Sequence, residues 1–282
     1  FRVLCFGGST SKYAKYPQRL QETLQKLLPN KKVKVYSAGW QAFTSRDAYY
    51  QYRYIYAGYD LDLIIFYEGI NELRANNCPP EVFKNDYSHF GYYKYLNRLV
   101  AVPFLRHSYL ATLYYRVRIK LVHEYITEVV SRHPELLLKT KMISTGNPLQ
   151  AWMKYGDEIK SVPAYKENVS KIIELAIKRK QPLLLMSFAS YFPPYPNAPV
   201  QYGVETDTEE GGNRVPSPMG IYGLDGNIKL GIQEHNKIIR ELAKIYPVYF
   251  LDQARIFPHD PSDFIDVCHF SDQGIQIFMR NI

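Results

Sequence analysis

Three cysteines and two tryptophans are all that the 282 residues contain. Cys5, Cys78 and Cys268 are too few and too widely spaced for a disulfide scaffold or a zinc site. Cys5 lies in an apolar stretch and reads as a small core residue. One Cys78–Cys268 bridge stays open as an alternative to free thiols, so cysteine usage does not fix the redox compartment. Long apolar runs are missing as well. The longest, Leu61–Tyr67 and Pro182–Phe188, have strand length, well short of the roughly 18 to 20 residues that cross a bilayer as a helix. Phe1-Arg2-Val3-Leu4-Cys5-Phe6 reads as a buried strand and not as a signal peptide. A chain that starts inside a strand is expected to be a trimmed product, with any leader or anchor encoded ahead of Phe1. Positive charge is present but not concentrated: 35 Lys and Arg against 27 Asp and Glu give +8, scattered apart from Lys31-Lys32-Val33-Lys34 and the stretch from Arg106 to Lys120. With no nucleic-acid-binding motif beside it, this charge reads as solvated surface and argues against a nucleic-acid partner. The Gly-x-Gly-x-x-Gly and Walker spacings of phosphate-binding loops are absent too.

What is there belongs to a folded chain. Hydrophobic residues make up 46% and charged residues 22%, a composition that excludes disorder over most of the length. The 26 tyrosines, many between Tyr49 and Tyr115, read as packing shells, because each ring buries well while its hydroxyl reaches water. Apolar strand candidates at Arg2–Phe6, Val33–Ser37, Leu61–Tyr67, Pro182–Phe188 and Val248–Asp252 alternate with amphipathic segments at Tyr16–Leu28, Arg46–Tyr56, Tyr165–Lys180 and Lys229–Ile245. This rhythm predicts an α/β domain: a three-layer α/β/α sandwich on a five-stranded, mainly parallel sheet. It is interrupted between the third and fourth strands, so a single domain over 1–282 with a helical insertion at about 76–163 is expected. The periodic segment Leu110, Leu113, Tyr114, Val117, Leu121, Tyr125, Ile126, Val129 is read as a core-facing helix. Its rival is a membrane-surface helix near 107–130, given Arg116, Arg118 and Lys120 between the apolar positions. The Pro-, Gly- and acid-rich stretch from Tyr191 to Asp225 is too long for a simple connection and reads as an active-site loop or a partly mobile segment.

Open parallel sheets bind ligands beyond the carboxyl ends of their strands. After the first strand comes Gly7-Gly8-Ser9-Thr10, after the second Ser37-Ala38-Gly39-Trp40, after the third Glu68-Gly69-Ile70-Asn71-Glu72, and beyond the fifth Asp266-Val267-Cys268-His269. Each has a plain structural use: a tight turn with a capping serine, a strand end, a turn asparagine, a surface imidazole. Together they supply a serine esterase. Ser9 is a nucleophile that needs a base, His269 suits that task near neutral pH, and Asp266 would fix its tautomer. Asp266 and His269 are three apart, so one helical turn would place both side chains on the same side. The amides of Ser9 and Gly39 and the side-chain amide of Asn71 would hold the oxyanion. A metal reading of Asp266 and His269 lacks a third ligand, although His259 and Asp260 are close in sequence. Cys268 as nucleophile is set aside, because sequence neighbours seldom point the same way.

These blocks resemble the SGNH hydrolase superfamily, the GDSL-type esterases and lipases. Phe6-Gly7-Gly8-Ser9-Thr10 is similar to its first block, with Gly8 where the strict signature has aspartate. Ser37-Ala38-Gly39 is similar to the second, with Ser37 in place of a frequent asparagine, and Gly69-Ile70-Asn71-Glu72 to the third, with Glu72 in place of aspartate. Asp266-Val267-Cys268-His269 matches an Asp-x-x-His block. The resemblance runs from residue 3 to 280 and implies the flavodoxin-like SGNH fold without a Gly-x-Ser-x-Gly elbow. It implies Ser9 as nucleophile, His269 as base, Asp266 as its orienter, Gly39 and Asn71 as oxyanion donors beside Ser9, and no metal or organic cofactor. A short-acyl or carbohydrate acetyl ester is the expected substrate, because no long apolar groove is legible. Trp40, Phe43, Tyr67 and Tyr191 follow or end strands and are candidates to line the site. The alternatives are acetyl transfer on a cell-surface glycan and a non-catalytic module that docks a partner through the insertion. The superfamily's exported and anchored members slightly favour an extracytoplasmic location, and a membrane contact would run through a segment ahead of Phe1 or the basic helix.

Overall fold

The computed structural model describes residues 1–13, 15–102, 108–111, 113–114, 117, 121, 150–192 and 222–282. By its internal contacts the chain divides into two compact units: Phe1–Glu72, Tyr165–Met219 and Lys229–Ile282 in the first, Leu73–Ala164 and Gly220–Ile228 in the second.

The first unit carries one sheet of five strands: β1 (Arg2–Gly7), β2 (Lys34–Ser37), β3 (Leu63–Tyr67), β4 (Leu183–Met186) and β5 (Tyr249–Leu251). Every pair is parallel and the order is β2-β1-β3-β4-β5. The interior strand β1 pairs Cys5 with Ser37 on one side and Ile65 on the other. Eight helices are used below: α1 (Ser9–Tyr13), α2 (Tyr16–Leu27), α3 (Ser45–Tyr50), α4 (Gly91–Ala101), α5 (Val162–Lys178), α6 (Asp225–Ile245), α7 (Gln253–Ile256) and α8 (Asp272–Asn281). The expected strands and helices are thus present with ends shifted by a few residues. One difference is that Arg46–Tyr56 is two pieces, α3 continuing into a wider π-helical turn at Gln51–Ile55.

Strand alternation explains why both sheet faces are covered. Phe6 and Phe66 point to one face, where Phe6 meets Tyr52 edge-on at 5.9 Å and Phe66 meets Tyr165 of α5 at 6.4 Å. Tyr67, one residue on, points to the other and meets Phe278 of α8 at 4.9 Å. Tyr16 of α2 packs on the same Phe278 at 5.2 Å. Side chains of successive strand residues leave opposite faces, so the near-continuous apolar runs of β1 and β3 each need two helical layers. The result is a three-layer α/β/α sandwich. At the end of β4 the Asn236 amide continues the ladder, accepting from the Phe188 N–H at 2.6 Å and donating to its carbonyl at 2.9 Å.

The second unit is helical among its described residues. Ala75, Cys78, Val82, Tyr87, Phe90, Tyr93, Trp152 and Ala164 form its buried core, with α4 on it. Asn76 and Ser161 clasp each other, Oδ1 accepting from the Ser161 N–H at 2.8 Å and Nδ2 donating to Oγ at 3.1 Å. All three cysteines are free and buried, so the Cys78–Cys268 bridge is not formed. The periodic segment lies largely outside the described residues, and those described do not face a core. Tyr109, Leu110 and Leu113 are 93%, 79% and 59% exposed, and Tyr114, Val117 and Leu121 are about half exposed. Amphipathic spacing identifies an apolar face, but not what that face meets. Most of the Tyr191–Asp225 stretch lies outside the described residues too. Among the described residues no helix is long and apolar enough to cross a membrane.

Candidate active site

Ser9 opens α1 two residues after β1 ends, and its side chain is almost fully buried. The Gly8 carbonyl accepts from the amides of Ser11 and Lys12, both at 3.2 Å, which turns the chain sharply and sets Ser9 at the carboxyl rim of the sheet. Ser9 Oγ lies 2.8 Å from His269 Nε2. His269 Nδ1 lies 2.6 Å from Asp266 Oδ2. Residues 260 positions apart thus form one continuous hydrogen-bond chain from carboxylate to ring to hydroxyl.

The structure brings Asp266 and His269 to one side without a helical turn. The stretch that carries them is a tight loop, closed by an antiparallel bridge between Phe264 and Phe270 and by the Ile265 N–H donating to the His269 carbonyl at 2.7 Å. Asp266 itself supplies the turn. Its Oδ1 accepts from the amides of Cys268 at 2.9 Å and His269 at 2.8 Å, leaving Oδ2 for the ring. Three-residue spacing brings two side chains together in such an Asx-type turn as readily as in a helix. Burial pushes the Asp266 carboxyl up, but the hydrogen bond and charge of His269 and the two amides outweigh it and hold the group below its ordinary value. Asp266 is therefore ionised at neutral pH, and it holds the proton of His269 on Nδ1. Nε2 is left as the acceptor facing Ser9. Cys268 is fully buried, and burial pushes its thiol far above the ordinary range, so it is no thiolate nucleophile. Asp266, Cys268 and His269 do offer three ligand atoms within 4.8 Å of one another. That grouping is the same turn, however, and both Asp266 oxygens are already engaged.

Gly39 packs against the Ser9 turn. A Cβ there would stand 2.9 Å from the Ser11 Cβ and 3.0 Å from the Gly7 carbonyl oxygen, so the close approach of the second strand end requires glycine. Among the described residues, no acceptor engages the amide N–H of Ser9 or of Gly39. Two undirected donors beside a buried hydroxyl are what an oxyanion requires. Asn71 also reaches this turn. Its Nδ2 lies 2.2 Å from where a Cβ on Gly8 would sit. The amide is already oriented, donating to the Phe43 carbonyl at 2.6 Å and to Glu68 Oε1 at 3.1 Å.

The four aromatic candidates separate. Trp40 is 55% exposed, with Lys12 Nζ 3.1 Å above its ring. Phe43 is half-buried and holds Asn71 through its main chain. Tyr67 is fully buried among Phe188, Phe270 and Phe278, which makes it a packing residue out of a ligand's reach. Tyr191 stacks on Phe264 at 6.0 Å and borders a cavity of about 580 Å³ with Gln233, Arg240 and His259. A second cavity, about 460 Å³, borders His269 and Asp266 with Thr10, Lys15, Arg19 and Ile275. Residues of the site that sequence spacing did not single out are Glu68, the Phe43 carbonyl, and the helix residues Tyr165 and His235. Tyr165 Oη donates to the Glu68 carbonyl at 2.7 Å, and His235 Nδ1 bonds the Gly69 carbonyl at 2.6 Å. The one legible signal nearby is the Thr44-x-x-Asp47 capping box that starts α3.

No family model matches this chain, and no curated protein matches it. Solved structures do. An acetyl xylan esterase is similar over 100% of this chain and 97% of its own, at 13% identity and a TM-score of 0.50. An acetylxylan esterase from Geobacillus stearothermophilus is similar over 99% of this chain and 91% of its own, at 11% identity and a TM-score of 0.51. An alpha/beta hydrolase from the metagenome of Lake Arreo, Spain, is similar over 99% and 92%, at 10% identity and a TM-score of 0.51. At these identities the likeness establishes a shared fold and nothing beyond it.

Proposed function

We propose that this protein is a serine esterase, which hydrolyses a carboxylic ester through an acyl-enzyme on Ser9. The observation that carries the reading is the Asp266–His269–Ser9 hydrogen-bond chain, at 2.6 and 2.8 Å, beside the undirected amides of Ser9 and Gly39. In the first half-reaction Ser9 Oγ attacks the ester carbonyl carbon while its proton passes to His269 Nε2. The carbonyl oxygen becomes an oxyanion facing the Ser9 and Gly39 amides, with the Asn71 amide as third donor. Asp266 stays ionised and stabilises the imidazolium. The intermediate collapses, the carbon–oxygen bond to the leaving alcohol breaks, and that alcohol takes the proton back from Nε2. Water then repeats the sequence on the acyl-enzyme, releasing the acid and restoring Ser9. These steps draw only on side chains, main-chain amides and water.

A short-acyl or carbohydrate acetyl ester is the substrate class favoured. Two of the similar structures above are named as acetyl xylan esterases. The cavity of about 460 Å³ on the His269 side has room for a sugar-sized leaving alcohol, and its rim carries Lys15, Arg19 and Asp272 for polar contacts. The test is p-nitrophenyl acetate turnover by the wild type and by Ser9→Ala. A loss of at least about 10³-fold is expected for removing the nucleophile. Equal rates for the two proteins would overturn the reading. Turnover seen only when a glycan hydroxyl is supplied as acceptor would move the assignment to acyl transfer.

A further inference from the structure

The departure from the GDSL pattern at Gly8 has a structural counterpart 60 residues away. A Cβ on residue 8 would stand 2.2 Å from Asn71 Nδ2 and 3.2 Å from both carboxyl oxygens of Glu68. The space beside the nucleophile that an aspartate side chain would enter is therefore filled by Asn71 and Glu68. Glu68 is only 2% exposed, and its Oε1 accepts from Asn71 Nδ2 at 3.1 Å. Its main chain is held from two helices. Tyr165 Oη donates to the Glu68 carbonyl at 2.7 Å, while the His235 ring bonds the Gly69 carbonyl at 2.6 Å and stacks on Tyr165 at 4.3 Å. With the main chain fixed on both sides of the peptide, the Glu68 carboxyl has a defined place against the Asn71 amide.

A primary amide carries two N–H donors. One Asn71 proton goes to the Phe43 carbonyl at 2.6 Å, a short bond that fixes the amide plane. The other meets Glu68 at 3.1 Å, a longer bond and the one an oxyanion can share. We propose that Glu68 is a positioning residue for Asn71, holding the second amide proton beside Ser9 in the absence of a side chain at position 8. This rests on the esterase reading above. The protonation state of Glu68 fits the task. Burial, with the neighbouring Glu72 and Asp47 carboxyls, drives the group well above its ordinary value, which favours the neutral acid over the carboxylate. A carboxylate would grip the Asn71 proton harder and place negative charge beside the oxyanion, while a neutral acid accepts weakly and yields the proton.

The test is a double-mutant cycle in steady-state p-nitrophenyl acetate hydrolysis, with Ser9→Ala as blank. Glu68→Gln, the isostere of the neutral acid, is expected to keep kcat within about threefold, because its side-chain oxygen still accepts from Asn71. Glu68→Ala is expected to lower kcat about 10- to 100-fold with KM nearly unchanged, somewhat less than the 10² to 10³ for deleting an oxyanion donor outright. Asn71→Ala and Glu68→Ala/Asn71→Ala are expected to be equally slow, since a residue acting only through Asn71 has nothing to lose once Asn71 is gone. Independent, multiplicative losses would overturn the inference, as would an unchanged kcat in Glu68→Ala or equal impairment of Glu68→Gln and Glu68→Ala. Should Glu68→Ala fail to fold, Glu68→Gln decides alone, and a kcat loss of tenfold or more there contradicts the proposal. Turnover no faster in the wild type than in Ser9→Ala would remove the esterase reading and this inference with it. Ser9-dependent turnover with multiplicative losses would remove the inference alone.

Discussion

Replacing Asp266 by Asn separates the two tasks that one side chain performs. Oδ1 pins the loop through the amides of Cys268 and His269 at 2.9 and 2.8 Å, and Oδ2 takes the His269 Nδ1 proton at 2.6 Å. Asn has one acceptor oxygen. The two backbone donors claim it, because turning the amide around would set its N–H groups against both of them. The Asn nitrogen then faces His269 Nδ1 and presents a donor where an acceptor stood. The ring answers by moving its proton to Nε2, the atom that must receive the Ser9 proton. A wrong tautomer of this kind costs about 10⁴ in kcat in a Ser-His-Asp hydrolase, or about 5 kcal/mol of barrier. The loop keeps its two backbone bonds, so the melting temperature is expected to stay within about 2 °C, about 1 kcal/mol for a protein of this size. Asp266→Ala removes both tasks. Its kcat falls as far, and the loss of two amide bonds to a charged acceptor, about 1.5 to 3 kcal/mol each at most, lowers the melting temperature as well. The assay is kcat on p-nitrophenyl acetate beside thermal unfolding, on one preparation of each variant. Asp266→Asn retaining more than a tenth of wild-type kcat would refute the tautomer argument. A fall in kcat matched by an equal fall in stability for both variants would assign Asp266 to structure alone.

Two further outcomes follow from the same coordinates. Gly39→Ala brings a methyl group to 2.9 Å from the Ser11 Cβ and 3.0 Å from the Gly7 carbonyl; the strand end must retreat, costing about 1 to 3 kcal/mol of stability and lowering kcat, and an unchanged kcat would take the Gly39 amide out of the oxyanion site. The buried imidazoles add an acid-labile part to the stability, since burial pushes His89 and His235 down to about 4, while the raised Glu68 and Glu72 carboxyls act in the opposite sense over the same range. At these two sites the unfolded chain, with ordinary histidines near 6.5, binds more protons below that pH, so the histidines' contribution is complete above about 6.5 and falls as the pH drops toward 4, by at most about 3 kcal/mol per histidine. Urea unfolding from pH 7 to 4.5 measures the slope. Acidification should cost His235→Phe less stability than it costs the wild type, and equal changes would contradict the account.

The sheet is legible because each strand is a short apolar run ended by small or polar residues, and the sequence order of these ends brings Ser9, Gly39 and Asn71 to one rim. Asp266 and His269 were legible as a pair but not as a turn. Their three-residue spacing suits both a helix and an Asx turn, and the choice is made by Phe264 pairing with Phe270. Tyr67 shows the limit of reading a strand end for binding. A last strand residue points to whichever face the pleat dictates, and here that face is the core. The exchange of Gly8 for Glu68 was invisible for another reason. It is a sharing of volume between residues 60 apart, and neither residue alone breaks a local rule. Leu110 and Leu113 have helical spacing in the sequence, but their exposure depends on what lies opposite them.

The central claim is a covalent one, and trapping tests it most directly. The protein is incubated with a small fluorophosphonate, which phosphonylates an activated serine, and intact mass is followed by peptide mapping. The account predicts one adduct per chain, located on Ser9, formed rapidly in the wild type and abolished in Ser9→Ala and His269→Ala, because the hydroxyl reacts only with Nε2 at 2.8 Å to take its proton. An unmodified protein, or an adduct on any other residue while Ser9 stays free, would contradict it.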